Sequence, residues 1–397
     1  NELMLQDANS KRASEAQFEQ WISKKVKERK LQKNQKNSNA VMVIPVVVHV
    51  VWNTSAQKIS LEQVQSQIEV LNDDYRRKPG TNGFGESDLA QDTQIEFCLA
   101  KINLEGQAFD GVDYLFTPIN QYNTRQDIEI YKSSTQWDPD LYFNIWTFSW
   151  GGELENLLGY AQFPVQSGLD GLDGLSGDAS TDGVAIGYRY FGSVQKYPQG
   201  TYAGFANLGR TATHEIGHCL GLRHIWGDVL NCNGTDYCND TPVSAGPSSG
   251  CNEAQDTCPQ LGYDMVQNYM DYSSDFCMHT FTEDQTERMH TVLENSPRRA
   301  SLLTSEVCGG LSSPDRQVLE GTKIYPNPTQ TVLNITVNNS ELPDTYVIYN
   351  SIGQVMVNAK VGSEADLTIN TSSYSNGIYF IKIDKGTETR TIKFVKN

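Results

Sequence analysis

Apolar residues divide the chain into stretches of different periodicity. Between Ser14 and about Lys36, Phe18, Trp21, Ile22 and Val26 form a narrow stripe at helical spacing through a lysine-rich segment, which predicts a largely solvated helix. Val41–Trp52 is a β-branched run interrupted only by Pro45 and His49, the pattern of a buried strand. After it, Ser60 is placed to cap a helix whose Leu61, Val64, Ile68 and Leu71 recur on one face and should pack on that strand. Gln94–Ala100, Leu141–Phe148 and Gly183–Phe191 read as further strands. Strands and helices alternate, so an α/β domain is expected. The stretch GLDGLDGLSGD, 168–178, lacks the ligand pattern of a calcium loop and reads as a flexible loop.

Periodicity lapses after Cys308, where Gly, Ser and Pro mark a linker over 309–322. Beyond it, Val332–Val337, Tyr346–Tyr349, Gln354–Val357, Asp366–Ile369, Ile378–Ile383 and Thr389–Val395 are short strands between turn residues, the pattern of a small β-sandwich. The expected order is a basic helical arm (1–40), an α/β (α+β) domain (41–308), the linker, and an all-β domain (323–397).

Charge separates the arm from the rest. The chain of 397 residues carries a net charge of −17, which argues against nucleic-acid or anionic-membrane partners, yet residues 1–40 hold more Lys and Arg than Asp and Glu. No run approaches the roughly 18 apolar residues of a membrane span. The chain opens at Asn1 without an apolar signal region, so a processed or truncated product is expected. Eight cysteines, most of them between Cys219 and Cys277, favour an oxidising, extracellular setting, with metal thiolates as the competing reading.

The chemistry concentrates in HEIGHCLGLRH, 214–224. On a helix His214 and His218 are one turn apart and present both imidazoles on one face, with Glu215 beside them. Gly221 allows the chain to leave the helix and return His224 as a third ligand. Three imidazoles with a fourth position left to water describe catalytic zinc, whose acidified water Glu215 would deprotonate before passing the proton to a leaving amine. Cys219 points to another helix face and does not complete a closed structural site. Downstream, QNYMDYSSDFCMH, 267–279, supplies Met270 as an apolar base under the imidazoles and Tyr272 as a donor to the developing oxyanion. HExxHxxGxxH followed by a Met-turn is the metzincin signature, and residues 214–224 match every fixed position.

With IPVVVHVVW (44–52), LLGYAQFP (157–164), DGVAIGY (182–188), CNDTP (238–242) and NYMDYSSDFCMHTFTEDQTERM (268–289), the stretch from about 40 to 305 resembles the pappalysin family of metzincin metalloendopeptidases. The resemblance implies a twisted five-stranded sheet with a backing helix and an active-site helix above an irregular lower subdomain, and action on protein or peptide substrates. It implies disulfides Cys251–Cys277 and Cys258 with either Cys232 or Cys238, leaving Cys98, Cys219 and Cys308 unassigned. Calcium also occurs in the family, and Asp228, Asp236, Asp240 and Thr241 offer hard oxygen ligands for it. An acidic residue shortly after the Met-turn lines the pocket for the residue following the cleaved bond; Asp275 matches it, which implies cleavage before Arg first and Lys second. Thr282–Gln285 reads as a capping box opening the helix that closes the domain.

The segments KIYPNPTQTVLNI (323–335), IYNSIGQVM (348–356), NGIYFIKI (376–383) and TIKFVKN (391–397) resemble the sorting domain of the type IX secretion system. That implies recognition by the secretion machinery and a secreted or cell-surface product of a Gram-negative bacterium. The basic run 24–33 then reads as the tail of a prosegment, with maturation expected within 24–40. The alternative from another class is a secreted binding or adhesion protein stapled by a structural zinc, which has no use for Glu215 or an open metal position.

Overall fold

The computed structural model describes all residues except 1, 34–39, 165–178, 260–261, 310–321, 338–341, 352 and 386–387. The loop 168–178 and most of the linker therefore lie outside the described residues. The chain divides into two compact units, Asn1–Gly309 and Gly310–Asn397.

The first unit is built on β1 (Met42–Trp52), whose β-branched run is buried on both faces. Ile44, Val46, Val48 and Val50 point into one core, shared with α2 (Leu61–Tyr75) and the active-site helix α4 (Arg210–Cys219). Val47, His49 and Val51 point to the opposite face, the alternation a strand requires. There His49 stacks on Trp146 at 5.0 Å and hydrogen-bonds Asn144 at 2.8 Å and Asp113 at 3.1 Å, so it is a satisfied core histidine. β1 pairs in parallel with β4 (Phe143–Phe148) on one side. On the other it pairs first with β2 (Ile95–Leu99) and then with β3 (Val112–Phe116). Six strands thus fill five positions, because the outer position is shared by two short strands. β6 (Val184–Gly187) follows β4 in parallel, and β5 (Gly159–Ala161) closes the other edge antiparallel.

The backing helix is fastened to the active-site helix by polar contacts as well as packing. Ser60 caps α2 by accepting from the Gln63 amide at 3.3 Å. At the far end the Tyr75 hydroxyl donates to Thr213 O at 3.1 Å, and Gln67 Nε2 donates to Gly209 O at 3.0 Å. α5 (Glu283–Asn295) opens with the Thr282/Gln285 capping box. α3 (Arg125–Thr135) has no counterpart in the apolar pattern; only Ile128 and Lys132 on it are buried, too few inward positions to leave a periodic signal.

The arm departs from its expected solvated state. Residues Glu2–Lys33 form α1, and its stripe has found a partner: Phe18 and Ile22 are buried against Val292 of α5. Covering the two side chains removes apolar surface worth about 1.5–3 kcal/mol each. Three disulfides, Cys98–Cys308, Cys232–Cys258 and Cys251–Cys277, cross-link the unit; Cys219 and Cys238 are free and buried.

The second unit is all antiparallel. One sheet has the order β10 (Val355–Lys360), β9 (Thr345–Asn350), β12 (Gly377–Lys385), β13 (Glu388–Lys396). The other runs β11 (Thr368–Asn370), β8 (Val332–Thr336), β7 (Lys323–Tyr325). Leu333 and Ile335 of one sheet and Ile348, Ile381, Ile383 and Phe394 of the other share a single core, so the unit is a sandwich.

Candidate active site

α4 carries His214, Glu215 and His218, and at its end Gly221, with φ at 87°, turns the chain so that His224 comes back over the helix. His218 Nε2 lies 3.1 Å from His214 Nε2 and 3.2 Å from His224 Nε2. The opposite ring nitrogens face groups that only accept. His214 Nδ1 meets Tyr269 O at 2.7 Å, His218 Nδ1 meets Leu222 O at 2.8 Å, and His224 Nδ1 meets Asp228 Oδ1 at 2.6 Å. Each Nδ1 must therefore carry the proton, so three Nε2 lone pairs converge on one point. Burial first, then the neighbouring histidines, press the His214 pKa well below its usual value and that of His218 to about 4, so shared protons do not relieve the repulsion. A cation does. Ligand nitrogens around a tetrahedral zinc, with Zn–N near 2.0–2.1 Å, sit about 3.3 Å apart, so the spacing fits, and among the described residues this is the one group of three or more His, Cys, Asp or Glu gathered closely enough to hold a metal ion.

Met270 is fully buried against α4, where a Cβ on Gly217 would come within 2.5 Å of its sulfur. Tyr272 stands over the site half-exposed, its ring centroid 5.6 Å from that of His214 and 4.9 Å from that of His224. Burial raises its phenol to about 12, so it keeps its proton to donate. Glu215 faces a cleft of about 600 Å³ also lined by His214, Tyr272, Asp275, Phe205 and Phe276. Burial pushes its carboxyl up to about 8, opposed by the charge of Arg125.

Asp275 reaches the same cleft, and its Oδ2 accepts from the Leu208 amide at 2.8 Å. The Arg210 amide also donates to it, so Asp275 supplies the N-terminal cap that Gly209 cannot. Its pKa is raised, by burial above all.

The four candidate calcium ligands are not brought together. Asp228 orients His224. Asp240 caps α5, accepting from the Thr282 hydroxyl at 2.7 Å and the Asp284 amide at 2.8 Å. Asp236 and Thr241 do meet, at 2.8 Å, but as partners in a buried turn. Among the described residues these four therefore have separate local partners and do not form one cluster.

Several supporting groups carry no signal in the motif. Trp226 stacks on His224 with centroids 4.3 Å apart and planes 5° from parallel. The Asn268 and Gln285 amides bond reciprocally at 2.9 and 3.1 Å, tying the Met-turn to the start of α5. Gly159 of β5 makes room for Glu215: a Cβ there would stand 2.9 Å from Glu215 Cγ.

Residues 126–294 match the family model described as pregnancy-associated plasma protein-A, and residues 323–397 match the secretion system C-terminal sorting domain. An extracellular metalloprotease of Arthroderma gypseum is 30% identical over 263 residues, spanning 64% of this chain and 73% of its own length. The chain belongs to the pappalysin family of metalloproteases. Another extracellular metalloprotease, from Verticillium alfalfae, is 45% identical over 139 residues, 34% of this chain, and the chain spans less than half of that relative, 44%. Mature mirolysin of Tannerella forsythia, solved in complex with a cleaved peptide, superposes with a TM-score of 0.59 at 37% identity, covering 70% of this chain and all of that one. Pappalysin membership makes the chain a peptide hydrolase with a catalytic zinc, and the sorting domain makes it a secreted one.

Proposed function

We propose that the chain is an endopeptidase whose zinc is held by His214, His218 and His224, with Glu215 as proton carrier. The convergence of three Nε2 lone pairs, each fixed by a protonated Nδ1 bonded elsewhere, carries this reading. When bound, zinc supplies a Lewis acid that polarises the scissile carbonyl and acidifies the attacking water. Glu215, one residue from a ligand and facing the cleft, takes a proton at its carboxylate and returns it to the leaving amine. Its buried setting raises its affinity for that proton. Tyr272 keeps a hydroxyl proton for the oxyanion, and Met270 holds the base of the site. The cleft alongside Glu215 is what a structural metal staple would not need.

Protein substrates bind extended along β5, the sheet-edge strand whose Gly159 leaves room for Glu215. Asp275 receives the side chain after the scissile bond and prefers Arg, whose fork can pair with a carboxylate twice, over Lys. The C-terminal sandwich acts as the address for a type IX export route of a Gram-negative cell. The test is Glu215→Ala in the full chain. The variant should keep stoichiometric zinc and lose cleavage of protein substrate; cleavage at the wild-type rate by zinc-loaded protein sinks the mechanism.

A further inference from the structure

The turn that returns His224 is gripped from outside the metal motif. Glu19, on the arm helix α1, is 5% exposed and meets Arg288 of α5 bidentately, Oε2 to Nη1 at 2.7 Å and Oε1 to Nη2 at 2.6 Å. The same Oε1 accepts from Arg223 Nε at 2.7 Å. Arg288 Nε in turn donates to Gly221 O at 2.6 Å. Between Gly221 and Arg223 lies Leu222, whose carbonyl orients His218, and after Arg223 comes His224 itself. One carboxylate from the arm therefore holds both ends of the segment that aims two of the three histidines. Phe18 adds an apolar contact, standing 3.3 Å from where a Cβ on Gly221 would be.

Both guanidiniums need this anion. Arg288 is 4% exposed, and with Arg223 it flanks the Tyr237 ring at 5.8 and 5.7 Å, so two like charges share one site. Asp236 also acts on Arg288, but it is bonded into its own turn with Thr241 and Cys238. Around the clamp, Arg29 pairs with Glu287 and Glu294, and Lys30 with Asp284 at 2.9 Å, lining the arm up on α5.

We propose that Glu19 is a positioning residue of the zinc turn, a carboxylate that fixes Gly221–His224 through Arg223 and Arg288 and so sets the metal affinity of the site. This rests on the three-histidine reading above. It gives the arm, while attached, a role in the metal site beyond that of a segment to be removed within 24–40. Groups that orient metal ligands are typically worth 10–100-fold in affinity.

The experiment compares full-length wild type, Glu19→Gln, Glu19→Asp and Ile22→Ala. Zinc dissociation constants come from competition with a chromophoric chelator, and melting temperatures from the metal-free proteins. Glu19→Gln should bind zinc about 10-fold more weakly or worse, with Glu19→Asp between it and wild type. Ile22→Ala, which removes a fully buried side chain from the same helix, should lower the melting temperature and leave zinc affinity within about twofold, since it leaves the ligand orientation alone. The proposal is overturned by a folded Glu19→Gln that binds zinc as wild type does, or by Ile22→Ala weakening zinc as much for equal loss of melting temperature. If Glu19→Gln does not fold, Glu19→Asp is judged by the same two comparisons. Failure of the three-histidine reading would show itself separately, as a wild type without stoichiometric zinc, and the proposal would fall with it.

Discussion

Gly159→Ala is the sharpest test of how the site is fitted together, because the change is one methyl and its neighbour is Glu215, the proton carrier of the proposed mechanism. Gly159 does not have the left-handed backbone that would make any side chain strained, so the effect is purely steric. An added Cβ stands 2.9 Å from Glu215 Cγ, 3.2 Å from its Oε1 and 3.2 Å from Thr211 Cγ2. Carbon atoms rest comfortably at about 3.5–4.0 Å, so Glu215 must retreat by roughly 0.6 Å or more. Strand β5 has little room to yield instead, since it is hydrogen-bonded to β6 with Gly159 opposite Ile186. A misplacement near 1 Å can cost about 10²-fold in rate, so kcat should fall about 10- to 100-fold. Overpacking of this kind also costs about 1–3 kcal/mol of stability, so rates must be taken well below the melting transition. The assay is steady-state cleavage of a quenched fluorescent peptide by protein of measured zinc content. The zinc content should match wild type, because the atoms nearest the methyl belong to Glu215 and Thr211 and not to a histidine. A folded, zinc-loaded Gly159→Ala with kcat within about twofold of wild type would refute the steric account.

Two further outcomes follow from named contacts. Asp275→Asn should keep the acceptor that caps α4 yet lose the preference for Arg and Lys after the scissile bond in a peptide library, whereas Asp275→Ala should lose the preference and also about 1 kcal/mol of stability; a preference unchanged in Asp275→Asn would mean the residue is only a cap. Burial alone would raise the Asp182 pKa, but Arg299, at 2.8 Å, and Arg298 outweigh it and hold the carboxyl below its usual value. A depressed pKa in the fold means that the pair's contribution is fully present above the ordinary aspartate pKa, near 3.9, and is lost as pH falls through the lower folded value. Denaturant unfolding of Asp182→Asn should therefore show a loss of about 3–5 kcal/mol at pH 7 and a flatter decline below pH 4 than wild type; equal acid sensitivity would contradict the assignment.

The chemistry of this protein was largely legible in one short stretch, because the ligands that matter are bound by helical periodicity and a single turn. His214 and His218 are one turn apart whatever surrounds them, and Gly221 is the residue that tolerates the positive φ by which the helix ends. The central strand was equally plain, since a strand buried on both faces must be a continuous apolar run. The sandwich strands were legible for the complementary reason, that short alternating runs between turns have few other uses. What the sequence could not decide depends on groups far apart in the chain. Tyr269 O as the partner of His214, the reciprocal pair of Asn268 and Gln285, and the space left by Gly159 for Glu215 are relations across the fold, with no local pattern to announce them. Asp228, Asp236, Asp240 and Thr241 look alike as hard oxygen donors in the sequence; only the tertiary structure assigns one to a histidine, one to a helix cap and two to each other. The arm is the clearest case. A charged, lysine-rich helix with a narrow stripe is compatible with a solvated segment, and whether Glu19 is in water or inside the protein was decided by where Arg223 and Arg288 stand, which chain periodicity does not encode.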